Sequence, residues 1–289
     1  MTEFSPIGIF DSGLGGLTVA KRVLERLPGE SIAYFADQAH VPYGEKPVEM
    51  IRGYALGITD FLVRRGSKLV VMACNMSSAT ALPAALEMMA PVPVIGVIEA
   101  GARSAAESSD GSPIGVLATT GTVGTRAYTR ALHRLLPDVQ VYEQACPKFV
   151  PIVEAGLCDT PEAESAVREY AEPLISAGCR TIILGCTHYP FLIEAIERIV
   201  GPEARIVDPA VETAAEAADI LFAAGLLARE TGGPEHAYFT SGCPDQFREL
   251  GGGFLGRRIE DVRRADWGLD LREVEGQGKM VGQTINSAR

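Results

Sequence analysis

The sequence predicts an α/β protein of two pseudo-symmetric parallel-sheet domains, with the functional site in the cleft between them. Three observations carry this. First, the chain is written twice: Ser5-Pro6-Ile7-Gly8-Ile9 recurs as Ser112-Pro113-Ile114-Gly115-Val116, and Val41-Pro42 as Val150-Pro151. Gly66-Ser67-Lys68-Leu69-Val70-Val71-Met72-Ala73-Cys74 likewise recurs as Gly178-Cys179-Arg180-Thr181-Ile182-Ile183-Leu184-Gly185-Cys186, the offset drifting only from 107 to 112. Second, Ile7 to Phe10, Leu69 to Ala73, Ile114 to Leu117 and Ile182 to Leu184 are short unbroken apolar runs, as expected of parallel strands covered on both faces. Third, helical periodicities separate these runs, which is the alternation of a doubly covered parallel sheet.

Taken in order, the first run leads into a helix with Leu17, Ala20, Leu24 and Leu27 on one face, stopped at Leu27-Pro28 as the second copy stops at Leu136-Pro137. Ile32-Ala33-Tyr34-Phe35-Ala36 reads as a strand. After Pro47 comes a helix with Ile51, Tyr54, Ala55, Ile58 and Leu62 on one face; its duplicate runs from about Thr160 to Ala177, with Thr160 as N-cap and Pro161 at the first helical position. Strand-to-helix connections are expected to be right-handed, with sites beyond the carboxyl ends of the strands. The last piece, a helix from Ala210 to Leu227 and a strand at Ala237-Tyr238-Phe239-Thr240, has too little apolar surface to fold alone and is expected to pack on the first copy. The expected domains are 1–99 with 210–267, and 100–209; residues 268–289, rich in Gly, Gln, Ser and charge, read as a loosely held tail.

The 289 residues are 47% apolar, enough for a sizeable core, and the net charge of −11 without a basic block argues against nucleic acid as partner. The N-terminus lacks a basic segment followed by a long apolar one, and no stretch approaches the roughly 18 apolar residues of a spanning helix, so a cytoplasmic protein without membrane attachment is expected. Six cysteines, none in a C-x-x-C pair, read as reduced thiols without a zinc site.

Two of those thiols stand out. Cys74-Asn75 ends one apolar run and Cys186-Thr187-His188 ends its duplicate. If the copies pack about a pseudo-dyad, both thiols approach one substrate from opposite sides. Inversion of a stereocentre by proton transfer asks for that arrangement, with a base on one face of the carbon and an acid on the other. A single cysteine after an apolar run is ordinarily a small core residue; duplication is what shifts Cys74 and Cys186 towards function. Cys146, Cys158, Cys179 and Cys243 remain structural. Asp11-Ser12-Gly13 and Thr119-Thr120-Gly121 each lead from a strand into a helix N-terminus suited to an anion, with plain helix capping as the alternative for Asp11 and Ser12. Asp37 and the turn Pro42-Tyr43-Gly44 stand near the same rim. Glu154 by itself reads as a solvated charge, and His188 is placed to take a proton from Cys186.

A dinucleotide fingerprint is the main competing motif. Gly13-x-Gly15-Gly16 opens a helix and Asp37 closes the next strand, but Thr18 stands where the third glycine belongs and Asp11 would repel a pyrophosphate. Pyridoxal phosphate would need a Schiff-base lysine, and none of Lys21, Lys46, Lys68, Lys148 or Lys279 stands at a strand end beside the polar cluster.

With these residues assembled, the sequence resembles the glutamate racemases of the aspartate/glutamate racemase superfamily. The resemblance rests on Ile7 to Thr18, Tyr34-Phe35-Ala36-Asp37, Pro42-Tyr43-Gly44, Ala73-Cys74-Asn75, Thr119-Thr120-Gly121-Thr122, Val150 to Glu154 and Leu184 to Pro190, and covers about residues 6–267. It implies interconversion of L- and D-glutamate without cofactor or metal, a supply of D-glutamate for peptidoglycan, and a homodimer. It makes Cys74 and Cys186 the acid/base pair and Asp11, Asp37, Glu154 and His188 their assistants. Ser12, Pro42, Tyr43, Gly44, Asn75, Thr119, Thr122 and Thr187 would hold the substrate, with Asp11 and His188 sharing that task. One departure falls at Met76, a substrate-binding position where the family usually has threonine; Met76 cannot donate the same hydrogen bond, and Ser77 or Ser78 are the nearby hydroxyls that could replace it. Its presence leaves open a racemase of another acidic amino acid, such as aspartate, and beyond that a non-catalytic binding relative.

Overall fold

A computed structural model describes residues 2–228 and 233–267. The described residues form ten strands, Ile7–Asp11 (β1), Ile32–Ala36 (β2), Leu69–Met72 (β3), Val94–Gly96 (β4), Ile114–Ala118 (β5), Val141–Ala145 (β6), Thr181–Gly185 (β7), Arg205–Val207 (β8), Ala237–Thr240 (β9) and Val262–Arg264 (β10). The α-helices are Leu17–Arg26 (α1), Val48–Arg64 (α2), Asn75–Met88 (α3), Val97–Glu107 (α4), Thr120–Thr125 (α5), Ala127–Leu135 (α6), Phe149–Glu154 (α7), Pro161–Ser176 (α8), Ile193–Val200 (α9), Pro209–Ala223 (α10) and Pro244–Leu255 (α11).

The strands form two parallel sheets, in the orders β10-β9-β2-β1-β3-β4 and β6-β5-β7-β8. The run β2-β1-β3-β4 and the run β6-β5-β7-β8 are the same topology, so the repeat in the sequence is a repeat in space. Each apolar run is buried on both faces with a two-residue period. In the first sheet Ile7, Ile9, Tyr34 and Val71 pack with α1, α10 and α11, whereas Phe10, Phe35, Val70 and Met72 pack with α2 and α3. In the second, Val116 and Ile183 face α4 and α6, and Leu117, Ile182 and Leu184 face α7, α8 and α9.

The repeated Pro-Ile-Gly has a packing cause. A Cβ on Gly8 would come within 2.8 Å of the Ser67 hydroxyl and 3.2 Å of Leu62, at the end of α2; one on Gly115 would meet Leu174 and Cys179, at the end of α8. Equivalent helices thus cross equivalent glycines.

The two sheets exchange helices. Although α4 follows the first sheet's β4, its Ile98, Ala102 and Ala105 pack on the second sheet. The helix α10 follows β8, yet its Ala210, Ala214, Ala217 and Leu221 pack on the first. The last piece joins the first sheet as β9 and β10 beside β2. Two details differ from expectation. The helix anticipated to Leu227 ends at Ala223, where Gly225 turns out with φ +66°. Val141–Ala145, too polar to read as an apolar run, is an edge strand and only partly buried, whereas β2, covered by β9, is buried throughout. The tail 268–289 lies outside the described residues. Among those described, no helix is long and apolar enough to cross a membrane.

Candidate active site

Cys74 caps α3 directly after β3, and Cys186 follows β7. These are equivalent positions of the two sheets, and both thiols line one cleft of about 360 Å³. Its walls also include Asp11, Ser12, Pro42, Tyr43, Gly44, Asn75, Met76, Thr119, Thr122, Glu154, Thr187 and His188. The sequence singled out each of these, and residues more than 100 positions apart meet because both sheets turn their strand ends to the same space.

The first thiol is buried among Tyr43, Ile51, Tyr54 and Met76. It donates to the Ser12 hydroxyl at 3.8 Å. Burial and the nearby Asp11 carboxylate push Cys74 up to about 11, with hydrogen bonding from Ser77 and Ser12 opposing the rise. Asp11, last residue of β1, is itself raised by burial, held back by the charge of His188 and by backbone amides; its Oδ2 accepts the Gly13 amide at 3.0 Å. The adjoining Tyr34 hydroxyl donates to the Gly13 carbonyl at 2.9 Å.

The second thiol stands beside an imidazole. Cys186 Sγ is 3.8 Å from His188 Nδ1, and His188 Nε2 is 3.3 Å from Glu154 Oε1 at the end of α7. Burial alone would lower His188, but the hydrogen bonds to Cys186 and Glu154 and the charges of Cys186 and Asp11 overcome it and raise the imidazole to about 10. Glu154 is lowered by its hydrogen bond to His188. Gly15 makes the placement possible, since a Cβ there would collide with the Thr187 hydroxyl and the His188 ring. The glycines that looked like a nucleotide fingerprint therefore serve, at Gly15, to let α1 approach the second thiol's imidazole.

Thr119 caps α5, accepting the Thr122 amide at 3.3 Å, and the two threonine hydroxyls lie 3.0 Å apart. Asn75 Oδ1 accepts the Tyr128 hydroxyl at 2.8 Å, and the Thr18 hydroxyl donates to the Thr187 carbonyl at 3.1 Å, so both cysteine-bearing turns are tied to the opposite half. Neither Tyr128 nor Thr18 was singled out for the site from sequence. Tyr128 is an apolar-face residue of α6, and Thr18 figured as a missing glycine and as the last residue of the first family motif.

Two expected contributions lie outside the lining of the cleft. Asp37 was expected among the assistants to the thiols, yet it does not line the cleft: it is fully buried behind Tyr43, whose hydroxyl donates to its Oδ2 at 2.6 Å. Ser77 and Ser78 do not replace the threonine missing at Met76. Met76 lines the cleft and they do not; the Ser78 hydroxyl instead accepts the Ile98 amide at 3.4 Å. Among the described residues, no group of three or more His, Cys, Asp or Glu is arranged to hold a metal ion.

Comparison with known proteins agrees with this geometry. The Asp/Glu/hydantoin racemase family matches residues 8–217. The glutamate racemase of Desulforudis audaxviator is 47% identical over 262 residues, covering 89% of this chain and 96% of that protein. The crystal structure of glutamate racemase from Francisella tularensis in complex with D-glutamate superposes with a TM-score of 0.85 at 33% identity, covering 92% of this chain and 98% of the other. That from Thermus thermophilus in complex with β-chloro-D-alanine gives 0.83 at 42% identity, over 92% and 98%. Matched in sequence over most of its length and in fold over nearly all of it, this chain belongs to the Asp/Glu/hydantoin racemase family.

Proposed function

We propose that the protein interconverts L- and D-glutamate by two-thiol proton transfer at Cα. The observation that carries this reading is the placement of Cys74 and Cys186 on equivalent strand ends of two duplicated sheets, lining one cleft. In each turnover one thiolate takes the Cα proton while the opposite thiol delivers its own to the other face. The first sulfur ends protonated and the second deprotonated, and the reverse reaction restores them. No redox or group transfer is involved, and the family resemblance supports a reaction without a cofactor.

An α-proton is far less acidic than a thiol, so the residues must lower the cost of both charges. His188, held cationic by Glu154, stabilises the Cys186 thiolate. Asp11 assists Cys74, taking up or returning its proton; its own raised value makes it a better acceptor than an exposed aspartate. The threonines, Ser12, Asn75 and the Pro42–Gly44 turn supply dipoles for the substrate's charged groups, in a protein whose net charge of −11 opposes an anion at long range. The helix exchange between α4 and α10 supports a division into domains 1–99 with 210–267, and 100–209. Family resemblance supports a homodimer, a cytoplasmic location and a role in supplying peptidoglycan synthesis; sedimentation at assay concentration tests the dimer.

Met76 on the cleft wall favours one alternative, a different acidic amino acid as substrate. Incubation of metal-free, pyridoxal-free protein with L-glutamate in deuterium oxide decides. Loss of optical rotation with deuterium at Cα is the expected result, whereas exchange on aspartate and none on glutamate selects the alternative.

A further inference from the structure

We propose that Ser241 and Trp267, carried in by the C-terminal return, are positioning residues for substrate binding that act through Asp37 on the Tyr43 wall of the cleft. The inference rests on the function proposed above and assigns a role to residues outside the cleft itself.

Asp37 is fully buried, and its carboxylate is surrounded. Tyr43 donates to Oδ2 at 2.6 Å; Ser241 and Trp267 Nε1 donate to Oδ1 at 2.7 and 3.2 Å, and His40 Nδ1 lies 2.8 Å from Oδ1. A carboxylate offers about four lone-pair sites. Three of the four groups sit on Oδ1 and Tyr43 alone sits on Oδ2, and Asp37 lies behind Tyr43, outside the lining of the cleft. What it does hold is Tyr43. Burial and the Asp37 carboxylate keep that phenol well above its ordinary value, so its O–H stays directed at Asp37 while Tyr43 lines the cleft.

The far side of the network comes from over 200 residues away. Ser241 follows β9 and its amide bonds the Ala36 carbonyl at 3.1 Å; Trp267 follows β10, where the Ala265 amide bonds the Thr240 carbonyl at 2.9 Å. Trp267 also packs against Tyr54, ring centroids 5.4 Å apart, and Tyr54 against Tyr43 at 5.8 Å. Two routes, one polar and one aromatic, thus run from the return to the Tyr43 wall. Neither Ser241 nor Trp267 lines the cleft with the thiols. Loosening the network therefore weakens binding of ground state and transition state alike, which raises KM and spares kcat.

Trp267→Phe keeps the aromatic packing and removes the N–H. It and Ser241→Ala should each raise KM for glutamate about fivefold with kcat within about twofold of wild type, and Asp37→Asn should raise KM further. Because all act through one carboxylate, Tyr43→Phe combined with Trp267→Phe should give less than the product of the two single effects. Unchanged KM, fully multiplicative effects, or an Asp37→Asn loss confined to kcat with an altered pH profile overturns the proposal. Wild-type turnover in the same assay reports separately on the proposed function. Trp267 is the chain's single tryptophan and gives a readout independent of turnover: its emission should shift in ligand-free Tyr43→Phe, and an unshifted spectrum rejects the coupling.

Discussion

The two halves of the cleft hold equivalent thiols in unlike surroundings. Cys74-Asn75-Met76 and Cys186-Thr187-His188 occupy the same place in the two sheets, but the third residue is an apolar thioether on one side and an imidazole on the other. The strand beside each thiol reverses the contrast: β1 ends in Asp11 next to Cys74, while β5 ends in Ala118. The charged group beside the thiol is thus an anion, Asp11, in the first half and an imidazole, His188, in the second, supplied from different elements. The duplication provides symmetry of position and divergence provides asymmetry of charge. Burial and Asp11 push Cys74 up to about 11, and Cys186 lies 3.8 Å from the His188 imidazole.

The largest test removes the thiols. Cys74→Ser and Cys186→Ser should each lower racemisation by at least about 10³-fold, since each sulfur is acid in one direction and base in the other. Near-normal turnover in either variant would end the two-thiol account.

Next comes the cation. His188→Asn should cost about 10²-fold in kcat, and the same change should alter stability against pH. His188 is raised from 6.5 to about 10, so its charged form contributes stability that is fully present below about pH 6.5 and lost as pH rises through about 10. Wild-type melting temperature should fall across that window and the variant's should be flatter. The slope that persists from about pH 9 to 11 belongs in part to Cys74, raised from 9.0 to about 11. An identical wild-type and variant slope between pH 7 and 9 means that His188 is not held cationic.

Gly15→Ala tests the second half without replacing an ionisable group. The added methyl displaces Thr187 and His188, and kcat should drop about tenfold with a stability loss of about 1–3 kcal/mol, read by kinetics and urea unfolding. Full activity would show that the imidazole's position is not critical. The smallest effect is expected at Tyr128→Phe. It leaves Asn75 Oδ1 without its partner from the opposite half and should cost about 1–2 kcal/mol of stability, with a modest rise in KM.

Much of this site was legible because its residues sit at strand ends, where apolar runs stop at polar residues. Cys74, Cys186, His188, Asp11 and Thr119 follow runs that any reading for buried parallel strands finds, and the repeat pairs them. Asp37 was legible as a residue, but its place behind Tyr43 was not. It too ends an apolar run, but β2 lies one strand further from β3, and the turn after it folds Tyr43 across the carboxylate. Tyr128 and Thr18 left no signal, since a hydrogen bond to the opposite half has no local pattern. Nor did Val141–Ala145, because an edge strand open on one side need not be apolar.

The sequence by itself determined the parallel α/β class, the duplication and the two strand-end thiols, because burial on both faces and local capping impose their patterns within a few residues. Only the tertiary structure decided that α4 and α10 change sheets, that Gly15 yields space to His188, and that Asp37 lies behind Tyr43 and meets Ser241 and Trp267 of the C-terminal return. Those outcomes depend on which surfaces meet across more than 100 residues of chain, and short-range periodicity carries no information about such meetings.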